Sequence, residues 1–350
     1  MSALDLLLQT PALLYTTLAL FALAIGSFLN VVIHRLPLMM EAEWRRECAQ
    51  LAATRAEDEG EGGTAGTAAG DTADAGEGDT AGAASTNATS KAQADAGVGT
   101  IASAGSGARS GTGAEAPPSP AVLTLARPGS HCPHCGHRIR PLENIPLLSY
   151  LVLRGRCSAC HQPIGLRYPL VEALTAVLSV LVVWRLGLSW ETGAALLLTW
   201  GLIALAFIDI DTQLLPDNLT LPLLWLGLLM SLGGRFTTPT EAILGATLGY
   251  LFLWTVYQLF KLVTGREGMG YGDFKLFALF GAWLGWQALP LILILSSLVG
   301  AVIGMILLAR SGRDRHTPLP FGPYLAAAGW IALLWGEGLS GAYLRWSGLG

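Results

Sequence analysis

From residue 168 to residue 341 the sequence is one apolar run after another, at roughly 168–186, 193–208, 218–233, 240–262, 274–286, 288–309 and 321–341, with short polar links between them. A bilayer admits only segments that satisfy their own backbone hydrogen bonds, so each run reads as a membrane helix. An earlier run at 12–33 adds one more. The stretch 274–309 is too long to be one span. As a single helix its 36 residues would reach about 54 Å at 1.5 Å per residue, so a break is expected at Gly285-Trp286-Gln287. The fold class is therefore an all-α polytopic membrane protein with about eight transmembrane helices. Composition excludes an ordinary soluble domain of this size: 52% of residues are hydrophobic, 13% are charged, and mean hydropathy is +0.50. The first run lacks a cationic flank and a small-residue cleavage site, so it reads as a retained span and not a signal peptide.

Three regions follow. Residues 1–37 hold the first transmembrane helix, which is expected to end where His34, Arg35 and Pro37 follow the apolar run. Residues 38–167 form a large loop. Within it, 53–119 is Ala, Gly, Thr, Ser and acids with almost no large apolar side chain, a composition that cannot offset its ordering entropy and reads as disordered. Residues 120–167 recover Leu, Ile, Tyr and cysteine pairs and read as a small structured unit outside the membrane. Residues 168–350 hold about seven more helices.

The formal net charge of −4 hides the balance that matters, because residues 57–115 carry ten Asp and Glu against Lys91 and Arg109. Without that segment (−8) the rest carries about +4. If the 34–167 loop is cytoplasmic, eighteen of the 21 Lys and Arg fall on the cytoplasmic side, with Arg185, Arg235 and Arg345 the exceptions. The positive-inside rule then places both termini away from the cytoplasm.

Two carboxylate stretches face the cytoplasm in that arrangement. One is Asp209-Ile210-Asp211 with Asp217, at the end of an apolar run; the other is Gly268-Met269-Gly270-Tyr271-Gly272-Asp273, at the start of one. Acids at a membrane boundary are costly to keep and mark functional sites. Asp209 and Asp273, brought together in a low-dielectric site, would titrate as a pair sharing one proton. One would act as general base on water while the other polarises a carbonyl. The glycines before Asp273 leave the backbone open to an extended substrate. Asp211 is the second candidate partner, and Asp217, after Pro216, sits where a helix N-cap is expected. Any one of these acids could equally do no more than flank a helix end. Glu172 and Lys275 are candidates for tuning the site electrostatically.

Cys132-Pro133-His134-Cys135 and Cys157-Ser158-Ala159-Cys160 give C-x2-C-x21-C-x2-C, the spacing of a four-thiolate zinc ribbon. A closed set of four thiolates is structural and does not activate water. A redox dithiol or free structural cysteines are the other readings, and His131, His134, His137 and His161 crowd the pairs. Cys48 is left over. The arginines at 138, 140, 154, 156 and 167 suit anionic headgroups better than nucleic acid, and no nucleic-acid partner is expected. The tryptophans read as interfacial anchors.

Taken together, the chain resembles the prepilin peptidases, also called type IV leader peptidase/N-methyltransferases, a family of G-x-G-D aspartic proteases. The resemblance rests on Gly26-Ser27-Phe28-Leu29-Asn30 with Arg35 and Pro37, the paired C-x2-C, Asn144-Ile145-Pro146, Arg167-Tyr168-Pro169 with Glu172, Asp209 through Asp217, Gly270-Tyr271-Gly272-Asp273-Phe274-Lys275, and Pro320-Phe321-Gly322-Pro323. It implies an aspartic endopeptidase of the bacterial cytoplasmic membrane that removes the basic leader of type IV prepilins and type II secretion pseudopilins. Cleavage falls on the cytosolic side, between Gly and a residue that is usually Phe. It implies Asp209 and Asp273 as the catalytic pair, and N-methylation of the new terminus with S-adenosylmethionine as methyl donor. No glycine-rich βα turn of the Rossmann type occurs, so that donor comes from the resemblance alone. The insertion between Leu51 and Pro120 departs from the family pattern. A proton-coupled transporter would want its acids near the bilayer midplane. A zinc-ribbon membrane adaptor would need no acid pair.

Overall fold

The computed structural model describes residues 10–61, 124–126, 129–132, 134–140, 143, 145–311 and 320–347. The chain divides into two compact units, Met1–Arg45 with Val122–Gly350, and Arg46–Ala121. Of the latter, only the end of one helix is described. Residues 62–119 of the expected disordered insertion, and Asn144, lie outside the described residues.

Among the described residues nine α-helices follow one another: α1 Pro11–Glu61, α2 Leu148–Val152, α3 Arg167–Leu186, α4 Trp190–Thr212, α5 Asp217–Ser231, α6 Pro239–Thr264, α7 Tyr271–Leu284, α8 Leu289–Ser311 and α9 Gly322–Ser347. The described residues contain no strand, only the isolated bridges His131 to Arg138 and Arg156 to Pro163. The expected break before α8 is present. Gly285 closes α7 in the left-handed region at φ 77, and a short 3-10 turn, Trp286–Ala288, starts the reversal.

One expectation changes. Pro37 does not end the first helix, which runs on to Glu61 through 53–61. Leu38, Met39, Met40, Glu41 and Ala42 are good helix formers, and Glu41 pairs with Arg45 one turn on at 2.5 Å. Among the described residues, five helices are long and apolar enough to cross a membrane, those holding Pro11–Arg55, Arg167–Leu186, Trp190–Thr212, Pro239–Thr264 and Trp286–Leu307. At 15 and 14 residues, α5 and α7 reach only about 22 and 21 Å against a hydrocarbon core of about 30 Å.

The short α7 is the centre of the bundle. Ten of its residues, from Asp273 to Trp283, are buried, including Phe274, Phe277 and Phe280. It lies against α6 backbone to backbone: a Cβ on Gly245 or on Gly281 would run into the other glycine's carbonyl. On its other side Trp283 donates its indole N–H to the Leu223 carbonyl of α5 at 2.9 Å. Apolar side chains such as Leu170, Val177 and Trp184 on α3 point outward and exposed, as lipid-facing positions do.

Candidate active site

Three helix ends converge at one rim of the bundle. Asp209 lies in the last turn of α4, Asp273 in the first turn of α7, and Gly322 opens α9. Both acids are buried, Asp209 to 5% and Asp273 to 7% exposure. The link after α4 brings their helix ends together, with Leu215 packed on Gly272 beside Asp273. The Gly322 N–H donates to Asp209 Oδ2 at 3.0 Å, so the positive end of α9 faces this carboxylate. A Cβ at Gly322 would stand 2.6 Å from the same oxygen. Gly272 does similar work on the other acid's helix, because a Cβ there would meet Leu215 Cβ at 2.6 Å. That glycine therefore draws the start of α7 against the link that follows α4, beyond leaving room for a substrate.

The remaining acids are occupied elsewhere. Asp211 pairs with Arg167 at 2.5 Å, and the same guanidinium lies over the Phe207 ring at 5.4 Å. Asp217 is the first residue of α5 and caps nothing; the cap position is Pro216. Its carboxylate holds Lys275 at 2.6 Å, so this lysine ties α5 to α7 instead of facing Asp273. Glu172 accepts the Leu147 N–H at 2.9 Å and a hydrogen bond from Ser27, which makes it an anchor between α1, α3 and the loop before α2. The Gly322 contact escaped the sequence reading. Its signal was Pro320-Phe321-Gly322-Pro323, a glycine and a proline opening a helix.

The four cysteines form a second cluster. Their sulfurs all lie within 4.8 Å of one another, with Cys132 and Cys160 at 3.8 Å. Four ligands at about 2.3 Å around one tetrahedral metal would be about 3.8 Å apart, so the set fits a metal ion. Two matching turns build it. In the first, Cys132 N–H donates to His137 O and Gly136 N–H to Cys132 O, both at 2.9 Å; in the second, Cys157 N–H donates to Gln162 O at 2.9 Å and His161 N–H to Cys157 O at 3.0 Å. Gly136 and His161 occupy the same left-handed position, at φ 69 and 56. Peptide N–H groups of Cys135 and His134 aim at the Cys132 sulfur and bring that thiol down to about 7. Among the described residues no histidine joins the cluster. His137 instead lies 3.4 Å from Glu143.

Family models match both halves of the chain, the bacterial peptidase A24 N-terminal domain over residues 20–186 and the type IV leader peptidase family over 196–305. A prepilin leader peptidase/N-methyltransferase of Pseudomonas aeruginosa is 47% identical, covering 99% of each chain. The chain belongs to the type IV leader peptidase family. Relatives of the same name from Aeromonas hydrophila and Xanthomonas campestris are 49% and 41% identical, over 95% of each chain and over 97% and 98% respectively. No solved structure matches. In type IV leader peptidase terms, the matched region 196–305 contains both acids, and the N-terminal match contains all four clustered cysteines.

Proposed function

We propose that this chain is a membrane aspartic endopeptidase that removes the leader of type IV prepilins and type II secretion pseudopilins and then N-methylates the new terminus. The observation that supports it is that two buried acids, Asp209 and Asp273, lie on helix ends that converge at one rim, while Asp211 and Asp217 are engaged by Arg167 and Lys275. The enzyme works in the bacterial inner membrane, with its acid pair toward the cytoplasm and both termini on the periplasmic side, the orientation that the lysines and arginines favour. Its substrates are pilin precursors lying in the same bilayer, and nucleic acid plays no part.

In the reaction, one carboxylate takes a proton from water as its oxygen bonds to the scissile carbonyl carbon. The other, protonated, donates a hydrogen bond to the carbonyl oxygen. The C–N bond then breaks, and the leaving nitrogen receives the proton. The Gly322 N–H keeps one Asp209 oxygen occupied and so orients the other. Four thiolates suit zinc; Cys132, Cys135, Cys157 and Cys160 would hold it, and it would supply a structural tie between the two turns and not a water for chemistry. S-adenosylmethionine would supply the methyl group.

Asp209→Asn and Asp273→Asn should each lower prepilin cleavage in membrane vesicles by about 10³-fold or more, while the protein remains inserted. Asp211→Asn should keep most activity. Full cleavage by Asp209→Asn together with loss in Asp211→Asn would overturn the pairing, and tolerance of all three would favour a non-catalytic adaptor.

A further inference from the structure

The loop that leads into the second cysteine turn is held at an unusual height. Leu147 adopts φ 54, a left-handed conformation uncommon for a bulky side chain, and this turns its N–H onto Glu172 at 2.9 Å. Glu172 is buried in α3, five residues past Arg167, which is about 7.5 Å along the helix axis. On the α1 side its backbone packs on Gly26, where a Cβ would come within 2.7 Å of the Glu172 Cα. Gly26 precedes Arg35 by nine residues, about 13 Å of helix. Arg35 in turn donates to the carbonyls of Thr124 and Leu125 at 3.1 and 3.0 Å, where the chain enters the cysteine unit. Leu147 is thus anchored deeper than both arginines, beside apolar turns of α1 and α3.

The next turn of chain is α2, and its apolar side chains point outward. Leu148, Leu151 and Val152 are 54%, 72% and 72% exposed, a costly display in water. Arg154 and Arg156 follow, both exposed. Across 124–166 the sequence carries five arginines against a single acid, Glu143. That acid accepts the Arg140 N–H, which holds its carboxyl below the usual carboxylate range. At the same height Phe28 of α1 and Leu170 of α3 also face outward, so the apolar surface of α2 continues a lipid-facing one.

We propose that α2 is a membrane foot, with Leu148, Leu151 and Val152 among the acyl chains of the leaflet on this side and Arg154 and Arg156 at the phosphates of anionic phospholipids. The foot would then add a hold in the lipid to the cysteine unit's covalent link to α3 and its hydrogen bonds with Arg35 and Glu172, setting its distance from the rim where Asp209 and Asp273 lie.

The test uses the full chain in liposomes of zwitterionic and anionic phospholipid, with a tracer phospholipid that carries a diazirine on its acyl chain. After illumination, mass spectrometry should find label on 148–152 at a density matching 170–177 of α3. Leu151→Asp with Val152→Asp should lose the label on α2 and keep that on α3. Arg154→Gln with Arg156→Gln should reduce labelling of α2 in anionic liposomes. Three results would overturn the proposal: an unlabelled α2 beside a labelled α3, labelling of α2 unaffected by the arginine changes, or label on α2 displaced by added prepilin, which would make this a peptide-docking surface.

Discussion

The acid pair and the cysteine cluster both join residues that are distant in sequence, yet they are held together by opposite means. Around Asp209 and Asp273 the elements approach because glycines leave room for a side chain, at Gly272 with Leu215 and Gly322 with Asp209 itself, and at the far end of α7 Gly281 meets Gly245 backbone to backbone. The site is embedded in a bundle whose central helix is buried nearly throughout. Among the described residues of 124–166, Cys132 and Cys157 are themselves the buried apolar side chains. A site held by packing is sensitive to a methyl group, whereas one held by sulfur is sensitive to the metal.

Three experiments would break or sharpen that contrast. Cys157→Ser, or chelation of the purified protein, should give the largest effect: loss of the folded cysteine unit, because binding energy there is folding energy, of order 10 kcal/mol in small zinc units. Protease resistance of residues 129–165 should collapse, while that of 190–300 persists, and metal analysis should find about one zinc per chain before treatment and none after. Equal loss in both regions would erase the distinction. Gly322→Ala should act on the other side of it. The new methyl group displaces Asp209, and a shift of about 1 Å costs on the order of 10²-fold in rate. We expect kcat for prepilin cleavage to fall by about that factor with KM and zinc content unchanged; normal kcat would show that packing is looser there than the contact implies. Deletion of 57–115 should give the smallest effect, leaving cleavage at its native level on a gel, since neither site draws a residue from that segment. Loss of activity in an inserted deletion protein would add a third region to the comparison.

The sequence carried the helices well because apolar runs and glycine breaks are local signals. The break at Gly285 and the four-cysteine spacing were legible for the same reason, and so was the boundary position of Asp209 and Asp273. Pro37 misled because a proline's lost hydrogen bond is one unfavourable contribution, outweighed by a strong helix-forming stretch after it. The partners of the other acids were hidden. That Lys275 would choose Asp217, 58 positions away, or that Arg167 would take Asp211, depends on how helices pack, and no spacing rule encodes it. Leu147 was hidden more deeply still, since nothing about a leucine announces a left-handed backbone.

The shortness of α7 has a bearing on supply. Hydrolysis consumes a water molecule, and the interior of a bilayer is the one cellular solvent that lacks it. A central helix about 21 Å long, set beside α5 of about 22 Å, falls short of a hydrocarbon slab of about 30 Å, so an upright α7 in that slab would end inside its depth. On the proposed function, solvent reaching down to that helix end would meet Asp273 in its first turn, and a greasy substrate could stay in the bilayer while its scissile bond became wet.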